Sequence, residues 1–121
     1  MSSESNVINR MVPSEAPIGL SPDQILIWEM MEKIKIKLLK KNLAYGSAVF
    51  SQSPLTRDVP IDAAIRVRMG DKINRLGSLL DNPEKNMIDD ESIKDTMMDL
   101  ATYGLLWIIQ QERMNADRKS K

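Results

Sequence analysis

Residues 90–111, DESIKDTMMDLATYGLLWIIQQ, constrain the fold of this chain more than any other stretch. Glu91, Asp95 and Asp99 recur every fourth residue, which on an α-helix lays them along one stripe. Ile93, Met97, Leu100, Gly104 and Ile108 make a second stripe, and Met98, Leu105 and Ile109 a third. With Leu106 and Trp107 added, the later half is apolar almost all round. A three-helix monomer covers only part of such a surface, so the sequence implies a homodimer or higher homo-oligomer.

The acidic stripe needs a partner. Carboxylates four apart on a helix repel by roughly 0.2–0.5 kcal/mol per pair. The helix dipole accounts for Asp89, Asp90 and Glu91 at an N-terminus, but its effect fades within the first turn. Asp95 and Asp99 lie deeper. They are either a solvated face or a set that meets a divalent cation or basic side chains.

What the chain lacks narrows its chemistry. It has no cysteine and no histidine, which excludes thiol nucleophiles, disulfides, structural zinc sites and histidine bases. Catalysis would rest on carboxylates, Lys, Tyr, Ser or Thr together with a bound ion. Oxygen-only ligation favours Mg2+ or Mn2+. Formal net charge is zero over 121 residues, so no global basic field draws the chain to nucleic acid or an anionic membrane. No helix concentrates Arg, Asn and Gln for reading bases, and DNA binding ranks low. No apolar run approaches the roughly 20 residues of a membrane span. The start, MSSESNVINR, lacks the order of a secretion signal. The expectation is a cytoplasmic protein.

Taken in order, residues 1–20 carry Pro13, Pro17 and Gly19 among scattered apolar residues, and are expected as an extended arm, either docked or loose. Ser21-Pro22-Asp23-Gln24 reads as a helix start, with Ser21 as N-cap, Pro22 first in the helix and Gln24 closing a capping box. The first main helix is expected over about 22–43, with Ile27, Met31, Ile34 and Leu38 as its core stripe. Glu29 and Glu32 form an E-x-x-E pair that would offer two oxygens to one metal, though such pairs are common. Residues 44–60 read as a loop broken by Gly46, Pro54 and Pro60. Its hydroxyls, Phe50 and Arg57 suit phosphate and base contacts or are simply polar.

The second helix is expected over about 61–81. Ile61, Ile65, Met69, Ile73, Leu76 and Leu80 form its core stripe, with Arg68, Asp71, Lys72 and Arg75 on another face. That mixed face is either surface ion pairs, each worth little, or a metal-facing Asp71 beside phosphate-binding Lys72 and Arg75. The third helix covers about 90–113, and residues 114–121 are expected as a fraying polar tail. The fold class is all-α: an arm (1–20), one helical domain (21–113) of three main helices, and a tail.

Three segments, KKNLAYGSAVF, IRVRMGDKINRL and DESIKDTMMDLATY, together resemble the phage and bacterial nucleotide-modification-associated domain. The resemblance spans about residues 25–109. That family is similar in turn to the all-α NTP pyrophosphohydrolases of the MazG and dimeric dUTPase type. It implies a MazG-like helical bundle completed by oligomerisation, in a phage-associated protein working in the host cytoplasm. It also implies a nucleotide ligand, hydrolysed with Mg2+ to the monophosphate and pyrophosphate. Carried onto this sequence, it marks Asp71, Glu91, Asp95 and Asp99 as metal ligands, with Asp95 and Glu91 catalytic. Lys41, Tyr45, Arg68, Lys72, Arg75 and Tyr103 are marked for phosphate and substrate. Two departures stand out. Ala44 occupies the place where the family carries Asp before Tyr-Gly, and Glu91 and Asp95 are four apart rather than three. An alternative is therefore a binding protein that sequesters a nucleotide without hydrolysing it. A second alternative is a structural helical oligomer.

Overall fold

The structure is a computed structural model. It describes residues 3–45, 48–82 and 90–120 and, among these, the side chains of all but residues 3–5, 44, 45, 48, 90, 91 and 120. The expectations for Tyr45, Gly46 and the Glu91 carboxylate therefore fall outside the described residues.

Every regular element among the described residues is helical: α1 (Ser3–Asn9), α2 (Pro22–Tyr45), a 3-10 turn (Ala48–Phe50), α3 (Ile61–Asp81) and α4 (Asp90–Ser120). The all-α expectation holds. No helix among the described residues is long and apolar enough to cross a membrane. The chain divides into two compact units, Met1–Ala48 and Val49–Lys121.

In the first unit, α2 starts as its sequence dictates. The Ser21 amide donates to Gln24 Oε1 at 2.9 Å, and the Gln24 amide donates to Ser21 Oγ at 3.2 Å. This reciprocal capping box satisfies two groups at the helix entrance. Just upstream, Gly19 sits at φ +102°, a conformation that glycine adopts without the Cβ penalty.

Two expectations for this unit are corrected. Residues 3–9 are helical rather than extended. The core stripe expected on α2 holds only in part: Ile34 and Leu38 are half-buried, but Ile27 and Met31 are 63% and 58% exposed. Glu32 and Ile36 are buried instead, with Ile25, Trp28 and Leu43 half-buried along the same line. The cause is the segment after α1. Its Ser14 is hydrogen-bonded to Trp28 and Glu32 and so covers that side of the helix.

In the second unit, α3 and α4 pack as an antiparallel hairpin. Lys72 on α3 meets Asp99 on α4, while Asp62, ten residues earlier, meets Gln111, twelve residues later. Helix α3 opens after Pro60 with Asp62 in its first turn, where a carboxylate complements the dipole. At its end the Asn82 amide and side-chain Nδ2 both donate to the Ser78 carbonyl. Ile65, 1% exposed, is the most deeply buried side chain of the hairpin, with Leu106 buried on α4. Burying an isoleucine contributes about 1.5–3 kcal/mol. Thr96 is buried too, its hydroxyl donating to the Ser92 carbonyl one turn back at 2.7 Å. That bond satisfies the hydroxyl locally, so a polar side chain is buried at a position that the apolar stripes did not mark.

The expected core stripes hold only in part. Ile61, Met69 and Leu76 are half-buried, but Ile73 and Leu80 on α3 are 56% and 58% exposed. Met97 and Ile108 on α4 are about half exposed. A two-helix layer has one shared face, and these side chains lie off it. Helix α4 also continues to Ser120, beyond the expected end near 113, with Arg118 and Lys119 in its last turn. Cations there complement the C-terminal end of the dipole.

Candidate functional site

The hairpin places the two charged stripes side by side. Lys72 Nζ lies 3.1 Å from Asp99 Oδ2, with the two side chains 31% and 29% exposed. Neither carboxylate nor ammonium is deeply buried, so water screens the pair and its net contribution is at most about 1 kcal/mol. On ideal helices Arg68 and Arg75 lie within roughly 60° of Lys72, forming one flank of α3. Both are exposed. On α4, Asp95 and Tyr103 flank Asp99 by one turn each; Asp95 is exposed and Tyr103 half-buried. The antiparallel register sets Arg68 level with Tyr103 and Arg75 level with Asp95 and Thr96.

The sequence-marked residues therefore separate into three groups. Lys72 and Asp99 are brought together. Arg68, Arg75, Asp95 and Tyr103 share their neighbourhood by register. Asp71 is exposed and, on an ideal helix, lies roughly 100° round α3 from Lys72. Lys41 is exposed and belongs to the first unit. Among the described residues, no three acidic side chains gather in a way that would hold a metal ion.

The E-x-x-E pair of α2 behaves differently from the metal-ligand expectation. Lys35 Nζ bonds Glu32 Oε1 at 2.7 Å, and the Ser14 amide and hydroxyl donate to Oε2 at 2.8 and 2.7 Å. Trp28 Nε1 then donates to the Ser14 carbonyl at 3.0 Å. Lys35 foremost, then the Ser14 amide and hydroxyl, hold the Glu32 carboxyl down from 4.5 to about 2. Both oxygens of Glu32 are thus committed to internal partners, and Glu29 is exposed. Sequence reasoning did not foresee this clamp. The one signal was Ser14 directly after Pro13 and three residues before Pro17, a hydroxyl in a proline-stiffened segment.

The polar loop after the 3-10 turn is also largely self-satisfied. Ser53 and Thr56 share a hydroxyl bond of 2.9 Å, and Gln52 Nε2 donates to the Val59 carbonyl at 2.6 Å. Phe50, a candidate for stacking on a base, has the Arg113 guanidinium 4.4 Å above its ring. This contact ties the turn to α4 through a cation–π interaction.

Comparison of the chain with family models, curated proteins and solved structures finds no match.

Proposed function

We propose that the protein binds nucleoside triphosphates on the charged flank of the α3–α4 hairpin and acts as a magnesium-dependent pyrophosphohydrolase. One observation carries this reading: Lys72 on the cationic flank of α3 meets Asp99 on the acidic flank of α4. A surface with cations and carboxylates at that distance suits a phosphate chain carrying a divalent ion. The likeness of three segments to the nucleotide-modification-associated domain supports the same substrate class.

The donor chemistry fits magnesium in kind, since only oxygen ligands are on offer. Asp95 and Asp99 would hold the ion, with Glu91, whose side chain is outside the described residues, as the third ligand. When bound, the ion would neutralise phosphate charge that the protein alone balances only partly. Arg68 and Arg75 would grip phosphate oxygens through their planar forks, and Lys72 would act as a point charge. Loading Asp99 would loosen its bond to Lys72, handing that ammonium to the incoming phosphate. A carboxylate oxygen not occupied by the ion would orient the attacking water and take its proton.

Incubating the protein with Mg2+ and a panel of NTPs and dNTPs tests this. Release of monophosphate and pyrophosphate is expected from at least one, and its loss in Asp95→Asn. A folded protein that turns over none of them refutes hydrolysis.

A second reading, nucleotide binding without chemistry, is favoured by Ala44 at the place of the family's aspartate and by the engagement of Asp99 with Lys72. Tight binding that needs no magnesium and yields no product would select it.

A further inference from the structure

The side of α4 turned away from α3 carries a short apolar seam. Met97, Ala101, Gly104 and Ile108 follow one another at intervals of four, three and four residues, the spacing that keeps side chains on a single helical line. On an ideal helix the line lies roughly 140–200° round from Asp99, the residue that meets α3. Met97 and Ile108 are 50% and 54% exposed, Ala101 is exposed, and Leu105 on the adjoining flank is 41% exposed. A Cβ built on Gly104 would meet nothing within 4 Å.

The order of sizes along this line is large, small, small, large, and it reads the same in both directions. Such a seam is complementary to itself when the second helix runs the opposite way. The small pairs then meet at the centre and allow close approach, while Met97 packs beside the partner's Ile108 at either end. The charges outside the seam are arranged in the same sense. Lys94 precedes it and Glu112 follows it, both exposed and on the same flank. In an antiparallel pair Lys94 lies beside the partner's Glu112. In a parallel pair the two would stand about 27 Å apart along the axis and never meet.

We propose that two copies of this chain associate through α4, antiparallel, about a two-fold axis passing between Thr102 and Tyr103. The occupant is a second copy because only self-pairing requires a palindromic seam with opposite charges at its two ends. This inference is independent of whether the chain handles nucleotides.

Sedimentation equilibrium of the full chain reads the association directly. The expected species has twice the 13.7 kDa chain mass. Ala101→Arg puts a charge at the two-fold on a position already exposed in the single chain, and is expected to yield a monomer with unchanged helical circular dichroism. Lys94→Glu is expected to weaken the dimer about fivefold, as for two exposed pairs, and adding Glu112→Lys is expected to restore it. These two residues are eighteen apart on one helix, so a rescue reports contact between chains. A monomeric wild-type protein, or an oligomer indifferent to Ala101→Arg, overturns the proposal. Failure of the double reversal to rescue overturns the antiparallel register.

Discussion

Lys72 on α3 and Asp99 on α4 meet at 3.1 Å, each still about three-tenths exposed. A pair in that position adds little to stability yet remains within reach of a ligand. That combination separates a structural role from a functional one. Lys72→Met is expected to cost less than about 1 kcal/mol in urea denaturation. The same substitution should lower nucleotide affinity at least tenfold, because a charge-assisted phosphate contact is lost and the Asp99 carboxylate left facing the phosphates. Calorimetry beside the denaturation curve compares the two. A large stability loss with unchanged affinity would assign Lys72 to the scaffold.

The Glu32 clamp makes a pH prediction. Its carboxyl is held near 2 by Lys35 and Ser14, against 4.5 ordinarily. A depressed carboxyl stabilises the fold above the unfolded-state value, and that contribution disappears as pH falls through the folded-state value. Wild-type protein should therefore exceed Glu32→Gln in stability at neutral pH. The difference should shrink below about 4.5 and be gone near 2. A gap that stayed constant across that window would mean the carboxylate's charge is not what the clamp uses.

Trp28 reports on the same clamp through its bond to the Ser14 carbonyl. Ser14→Ala removes the hydroxyl bond to Glu32 but keeps the amide bond. A small red shift of Trp28 emission, recorded in a Trp107→Phe background, is the expected sign of a loosened arm. An unchanged spectrum would show that the amide alone holds it.

The capping box is testable at its first residue. Ser21→Ala should destabilise the protein by about 1 kcal/mol, the usual cost of losing an N-cap hydroxyl. A thermal or urea melt within error of wild type would show that α2 does not depend on its cap.

Two glycines should respond with opposite signs. At Gly77, within α3, a Cβ meets nothing within 4 Å, so Gly77→Ala should stabilise by about 0.5–1 kcal/mol. At Gly19 the surroundings are equally open, but φ is +102°. There alanine should cost about 1–2 kcal/mol from backbone strain alone. Urea denaturation of the two variants measures both.

The contrast between what local sequence revealed and what it hid is visible on α2. Its start was legible because Ser21, Pro22 and Gln24 act on one another within a single turn. Its buried face was legible only in part: Ile34 and Leu38 of the expected stripe are half-buried, while Ile27 and Met31 are exposed and Glu32 and Ile36 are buried. The difference was made by Ser14, eighteen residues before Glu32, and periodicity carries no information about such a contact. Residues 3–9 lack a periodic apolar face, which hid α1. The α4 extension to Ser120 follows from good helix formers and terminal cations rather than from burial. In the charged site, spacing exposed the two stripes, and the hairpin register decided that Lys72 and Asp99 meet.

Pyrophosphate release from nucleoside triphosphates, measured with and without Mg2+ and alongside calorimetric binding, tests the nucleotide reading at its root. The expected result is magnesium-dependent turnover of at least one nucleotide, abolished by Asp95→Asn in a protein that stays folded. Neither binding nor turnover of any nucleotide by the folded wild-type chain would contradict it, leaving the charged flank of the hairpin as solvated surface.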